Sequence, residues 1–170
     1  MAGDQELWER LSRGDAAAFE EFYRQQRPRV RSFLRHYLGD APAVEDIAQE
    51  AFMQLWRSPN GFQPDRGTLK AYVFGIARKR AADWWRKQRA AAAEVPKTAQ
   101  AAEETTALIE DALARLEPDE RGLLWLREVE GYSYDELAEI LAIPLGTVKS
   151  RLFAAREQLR RVWLGRPRAS

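Results

Sequence analysis

Residues 130–156 read EGYSYDELAEILAIPLGTVKSRLFAAR, and the fold is decided there. Ser133 can cap a helix, and Glu136 stands three residues later, the spacing of a capping box. Leu137, Ala138, Ile140 and Leu141 then give that helix an apolar face with the helical period. The pattern breaks at Ile143-Pro144-Leu145-Gly146. Proline is tolerated in the first turn of a new helix, because its missing N–H would be unpaired there anyway. The second helix turns Val148 and Leu152 inward and leaves Thr147, Lys149, Ser150, Arg151 and Arg156 largely outward. Ala138 is small enough for two crossing helices to approach, and Val148 faces back into the same small core. This is the geometry of a helix-turn-helix. A short basic helix with hydroxyls near its start can enter a major groove N-terminus first. Lysine and arginine can donate there to guanine edges or phosphates, and serine or threonine to either. Spacing alone also admits an ordinary helical hairpin with a solvated basic face.

The chain has 170 residues, enough for one domain or two small ones. Its 27 basic and 26 acidic side chains nearly cancel, so the distribution of charge says more than the total. From Lys149 to the end there are seven basic residues and one acid, Glu157. Between Glu110 and Glu139 acids dominate, with Arg115, Arg121 and Arg127 the only basic residues. A basic end beside an acidic stretch suits a domain that orients itself on a polyanion. Cysteine is absent and His36 is the single histidine. Disulfides and thiolate or histidine metal clusters are therefore excluded. No nucleophile–base pair suggests an enzyme, and no cofactor or metal is expected. His36 is expected on the mixed face of a surface helix. The start, MAGDQELWER, lacks the apolar core of a signal peptide. No stretch reaches the roughly 18 apolar residues of a membrane span, so no membrane insertion and a cytoplasmic location are expected.

Leu7, Trp8 and Leu11 form a short apolar stripe before Gly14. A helix should begin at Asp15, with Phe19, Phe22, Tyr23, Val30, Phe33, Leu34, Tyr37 and Leu38 on its buried face. Pro28 interrupts it, which predicts a kink or two shorter helices. Gly39-Asp40-Ala41-Pro42 is a turn. The next helix runs from about Ala43 to Arg57, burying Val44, Ile47, Ala48, Ala51, Phe52, Leu55 and Trp56. Its other face shows Asp46, Gln49, Glu50 and Gln54, which suit a protein contact or plain solvation. Residues 58–68, SPNGFQPDRGT, form a loop rich in turn residues. Phe62 is its one large apolar side chain, either a tether to the core or part of a recognition surface.

A third long helix starts near Thr68 and buries Leu69, Tyr72, Val73, Ile76 and Ala77. Six basic residues then lie between Arg78 and Arg89, namely Arg78, Lys79, Arg80, Arg86, Lys87 and Arg89, with Asp83 the only acid. Trp84 and Trp85 sit among them. Aromatics interleaved with basic residues suit stacking of unpaired bases and neutralisation of phosphates. The alternative is that one tryptophan finishes the core and the arginines are solvated. Adjacent side chains on a helix diverge by about 100°, so the pair cannot share one narrow core stripe. Residues 90–106 have almost nothing to bury and read as a linker. Leu108, Ile109, Leu113 and Leu116 open a second domain. A helix beginning at Glu117-Pro118-Asp119 follows, burying Leu123, Leu124 and Leu126. The expected class is all-α: a helical domain over 7–89, a flexible linker over 90–106, and a helix-turn-helix domain over 107–165.

Two blocks, in order, resemble one family. The chain is similar to the sigma factors of bacterial RNA polymerase, sigma-70 family, in their group IV or extracytoplasmic-function (ECF) branch. EDIAQEAFMQLW (45–56) looks like the family's polymerase-binding helix, and LKAYVFGIARKRAADWWR (69–86) resembles its promoter-melting helix. Residues 116–161, with GTVKSRLFAAREQLR, resemble its C-terminal promoter-binding domain. The family usually has Asn where Lys79 stands. Its turn often holds Gly where Ala142 stands, so here the helix end is expected to close without a left-handed residue.

The resemblance implies promoter recognition rather than catalysis. Core RNA polymerase would be bound through Asp46, Gln49, Glu50 and Gln54. The −10 element would be engaged and opened by Phe62, Arg78, Lys79, Arg80, Asp83, Trp84, Trp85 and Arg86. The −35 element would be read through Thr147, Lys149, Ser150, Arg151, Phe153 and Arg156. An anti-sigma factor is the further partner the resemblance implies. The competing function is that of a helix-turn-helix transcriptional regulator that is not a polymerase subunit.

Overall fold

The structure is a computed structural model and describes residues 2–39, 41–91 and 111–165. Every regular element among them is helical. The first group holds α1 (Ala2–Ser12), α2 (Ala16–Leu38), α3 (Ala43–Arg57), a 3-10 turn (Pro59–Gly61) and α4 (Leu69–Ala91). The second holds a helical turn at 111–114, α5 (Pro118–Glu128), α6 (Tyr134–Leu141) and α7 (Leu145–Leu164).

Asp15 starts α2 by accepting from the backbone N–H of Ala17 and Ala18, each at 3.1 Å. Its other oxygen accepts from Arg10 Nε at 2.8 Å, which ties α1 to the start of α2. That hydrogen bond, with the cap itself, holds the Asp15 carboxyl below the usual carboxylate range. Pro28 does not divide α2, which runs unbroken to Leu38. The expectation of two helices fails because Arg24 and Pro28 both lie on the exposed side, where water can serve the carbonyl left without a donor. Val30, Phe33 and Leu34 on the other side are fully buried and hold the helix together.

Helices α2, α3 and α4 pack as a bundle around Phe33, Ala51, Phe52, Leu55, Val73 and Phe74, all fully buried. The helix-turn-helix group does not stand apart. Its Leu126, Leu137 and Val148 belong to the same continuous core. Helix α5 lies on α2, and α6 lies on α4. Gly122 makes the first contact possible, since a Cβ there would fall 2.7 Å from Tyr37 Cδ2 and 3.0 Å from Phe33 Cε2. Helix α1 begins earlier than the expected boundary at residue 7, and α4 continues through Ala91. The remainder of the expected linker lies outside the described residues.

Both capping boxes of the second group are formed, Glu117 with Glu120 and Ser133 with Glu136. The end of α6 corrects an expectation. Ala142 adopts φ 52° and ψ 46°, so the helix does close on a left-handed residue although that residue is alanine. Ile143 N–H reaches Ala138 O at 3.1 Å, satisfying a terminal carbonyl that would otherwise lack a donor.

Candidate nucleic-acid interface

Helix α7 is held by its apolar side. Val148 and Ala155 are fully buried and Leu152 is 1% exposed. Around the rest of the helix Lys149, Ser150, Arg151, Phe153 and Arg156 are exposed, while Thr147 is half-buried near the helix start. Phe153 is 69% exposed, an apolar ring standing among cationic side chains. Arg156 is steadied by a hydrogen bond to Glu128 Oε1 at 2.6 Å, which raises its pKa. Ser150 Oγ donates to Thr147 O at 3.2 Å, which leaves its oxygen able to accept as well. Of the sequence-predicted residues of this helix, all but Thr147 are exposed.

The basic half of α4 is arranged differently. Lys79 and Arg86 are exposed, with Arg86 paired to Asp83 on the next turn. Arg80 Nη2 donates to Gln54 Oε1 at 2.9 Å and lies 3.9 Å from Glu50 Oε2. Arg80 therefore joins residues that the sequence reading assigns to two partners. Trp84 and Trp85 are both half-buried against the edge of the core, so neither indole is fully enclosed. Phe62 is 3% exposed, wedged between the rings of Trp8 and Tyr72. It is the tether of its loop, and Gln63, Pro64, Asp65, Arg66 and Gly67, which follow it, are all exposed. On α3, Asp46 and Gln49 are exposed, whereas Glu50 accepts from Arg57 at 2.9 Å.

Arg78 faces the other group of helices. Its Nη2 donates to Asp119 Oδ1 at 3.3 Å, and Tyr37 Oη donates to the same oxygen at 2.6 Å. Burial, reinforced by this hydrogen bond, pushes the Tyr37 hydroxyl pKa far up, so it remains a donor at neutral pH. Arg121 Nε donates to His36 O at 2.9 Å and Nη2 to Tyr37 O at 2.7 Å, closing the C-terminal end of α2. Its Nη1 donates to Leu116 O at 2.9 Å. Desolvation lowers the Arg121 pKa, with the charge of Glu117 acting in the opposite direction. The His36 ring stacks on Trp125 with centroids 3.8 Å apart. The buried Glu130 carboxylate lies 3.1 Å from Lys70 Nζ on α4 and 3.7 Å from Arg29 Nε on α2. Sequence reasoning missed this seam. Its residues are distant in the chain, and only glycines placed inside helices, Gly75 and Gly122, hint at a close approach.

Among the described residues no group of three His, Cys, Asp or Glu side chains is placed to hold a metal, and no helix is long and apolar enough to cross a membrane. A helix-turn-helix with an open basic face, mounted on a helical bundle, defines a DNA-binding transcription protein. The family model of Sigma-70 region 2 matches residues 22–91, and that of Sigma-70, region 4 matches residues 106–159. The RNA polymerase sigma-H factor of Pseudomonas aeruginosa is 30% identical over 92% of this chain and 91% of its own. The ECF RNA polymerase sigma factor RpoE of Cereibacter sphaeroides is 32% identical over 86% of each chain. The sigma factor RpoE of Bartonella quintana, solved in complex with the anti-sigma factor NepR, superposes with a TM-score of 0.72 at 25% identity. That match covers 85% of this chain and 96% of the other. CnrH, solved with the cytosolic domain of CnrY, shares the fold with a TM-score of 0.75 at 22% identity, over 96% of this chain and 99% of that one. The chain belongs to the ECF branch of the sigma-70 family, and its function is transcription initiation through RNA polymerase and promoter DNA rather than catalysis. That membership sets aside the free-standing regulator.

Proposed function

We propose that this sigma factor divides its task among three surfaces and works as a polymerase subunit in the cytoplasm. Core RNA polymerase is held by α3 through Asp46, Gln49, Glu50 and Gln54. The −35 element is read in the major groove by α7 through Thr147, Lys149, Ser150, Arg151, Phe153 and Arg156. The −10 element is engaged by the exposed part of the 58–68 loop and by the basic half of α4, where Lys79, Arg80, Asp83, Trp84, Trp85 and Arg86 lie. Phe62 serves that loop from within the core, and Arg78 joins the −10 surface once it leaves Asp119. An anti-sigma factor is the natural antagonist, a reading supported by the similar sigma factor solved with NepR.

One observation carries the reading. Lys149, Ser150, Arg151 and Phe153 all remain uncovered around the buried stripe of Val148, Leu152 and Ala155, even with the two helical groups packed together. A packed 170-residue chain has a radius of gyration of about 15 Å, which is roughly 40 Å across. Elements centred about 25 base pairs apart are separated by about 85 Å of duplex. One packed body cannot reach both, so the arrangement described is a closed form, and the helical groups separate when the promoter is engaged.

The test is capture by core RNA polymerase followed by promoter-dependent run-off transcription. With Lys149→Ala and Arg151→Ala combined, capture by core should be unchanged. Promoter affinity should fall by at least tenfold, since each good base-edge contact is worth about 1–3 kcal/mol. Undiminished run-off from the double variant at limiting promoter would overturn the assignment of α7.

A further inference from the structure

Helix α1 precedes the segment matched by the region 2 model, which begins at residue 22, and the surfaces assigned above make no use of it. Its placement gives it a task. Leu11 is 2% exposed and seats the helix in the core, and the Arg10–Asp15 pair fixes its end against α2. One turn back, Trp8 Nε1 donates to Pro59 O at 2.9 Å, a contact across 51 residues of chain. Pro59 O also accepts from Phe62 N at 3.2 Å, the bond that closes the 3-10 turn. A carbonyl oxygen has two lone pairs, and here both are engaged. The indole therefore holds the turn from which the 63–67 loop departs.

The rings complete the clamp. Phe62 lies with its centroid 6.4 Å from Trp8 on one side and 5.6 Å from Tyr72 of α4 on the other. Gly61 passes beneath Tyr72, where a Cβ would meet the tyrosine hydroxyl at 2.5 Å. Three rings from α1, the loop and α4 thus fix the last enclosed residue of the loop. Gln63 to Gly67 follow it directly and are all exposed.

We propose that Trp8, a residue of the first helix, is a positioning residue for −10 recognition, acting through Pro59 and Phe62 to present the 63–67 loop to promoter DNA. The proposal rests on the assignment of that loop to the −10 element made above. Trp8 touches no DNA in this scheme. It fixes where the loop begins, and a loop held in one geometry loses less conformational entropy on binding than one that must be ordered.

The experiment uses the full-length protein, free and as holoenzyme. Trp8→Phe keeps an aromatic ring and removes the donor, and Phe62→Leu loosens the ring stack from the loop side. Exchange of the Gly61 and Phe62 amides, which donate to Ser58 O and Pro59 O, should quicken by roughly fivefold, the fold-change of one ordinary hydrogen bond. Amides in α2 and α3 should keep their rates. Rates of open-complex formation are then compared on two promoters that differ only in the −10 sequence. A loss of folded protein lowers both rates together and leaves their ratio alone, whereas a misplaced loop brings the ratio toward one. Quicker exchange with a ratio reduced severalfold is the expected result. Unchanged exchange in both variants overturns the clamp. Quicker exchange with an unchanged ratio overturns the positioning role, and Gln63→Ala with Arg66→Ala shows where it failed. If these loop substitutions alter the ratio, the loop acts at −10 without help from Trp8. If they do not, the assignment of the loop to −10 falls with the proposal.

Discussion

Ala142 holds a left-handed conformation that costs an alanine about 1–2 kcal/mol. It is the one non-glycine residue with positive φ among the described residues. The turn between α6 and α7 requires it, because the chain must reverse within three residues, Ala142 to Pro144, before α7 begins at Leu145. Glycine at this position escapes the clash but adds conformational freedom to the unfolded chain, which offsets up to about 1 kcal/mol of the gain. Ala142→Gly should therefore stabilise the protein by roughly 0.5–1 kcal/mol and raise Tm by about 2–3 °C. Thermal unfolding followed by circular dichroism measures this, and a lowered Tm would show that the turn is not strained. Arg121 illustrates the opposite case, a residue on which other parts depend. Its planar fork reaches carbonyls at the end of α2 and at Leu116 together, and a lysine cannot reproduce that geometry.

At the scale of the element, α3 separates folding from function most clearly. Val44, Ile47, Ala48, Ala51, Phe52 and Leu55 are buried, and Asp46 and Gln49 lie exposed on the other side. Alanine is the better helix former, so replacing both exposed residues does not weaken the helix interior. Asp46 lies in the first turn, where its charge favours the helix dipole, which limits the expected loss to about 0.5 kcal/mol. The double variant Asp46→Ala, Gln49→Ala should keep its circular dichroism and bind core polymerase more weakly in a titration. Equal affinity would move the interface off α3. Helix α4 is less divisible. Its first half is core and seam, while in its second half Arg80 is bound to Gln54 of α3 and Trp84 and Trp85 border the core. Substitutions there affect packing and recognition together.

The whole molecule is governed by the seam between the two helical groups. Tyr37, Arg78 and Asp119 form one polar knot across it, Glu130 with Lys70 and Arg29 another, and the His36–Trp125 stack lies between α2 and α5. Gly122 is a tight point of the seam, and the rings it faces belong to Tyr37 and Phe33, at 2% and 0% exposure. Such rings have no room to retreat. Gly122→Ala should therefore separate the groups while favouring α5 itself by about 1 kcal/mol of helix propensity. Small-angle scattering should show the radius of gyration rising above the roughly 15 Å of a packed chain. Trp125 emission should change as it leaves His36. An unchanged radius in the variant would mean that the seam accommodates a methyl group and that Gly122 does not control closure.

Much of this was legible in the sequence, because the decisive signals are local. Apolar residues at helical spacing located α2, α3 and α4. Ser133 with Glu136 marked the start of α6, and Pro144 marked the break before α7. The open basic side of α7 follows from the same periodicity, since Val148 and Leu152 must turn inward. What local signals do not contain was decided by tertiary contacts. Pro28 is accommodated because it faces water, Ala142 is forced into the left-handed region by the packing of α6 against α7, and Phe62 is drawn into the core by Trp8 and Tyr72. The seam itself joins residues some 80 positions apart in the chain. Such contacts depend on which surfaces meet, and a one-dimensional pattern records each surface without recording its partner.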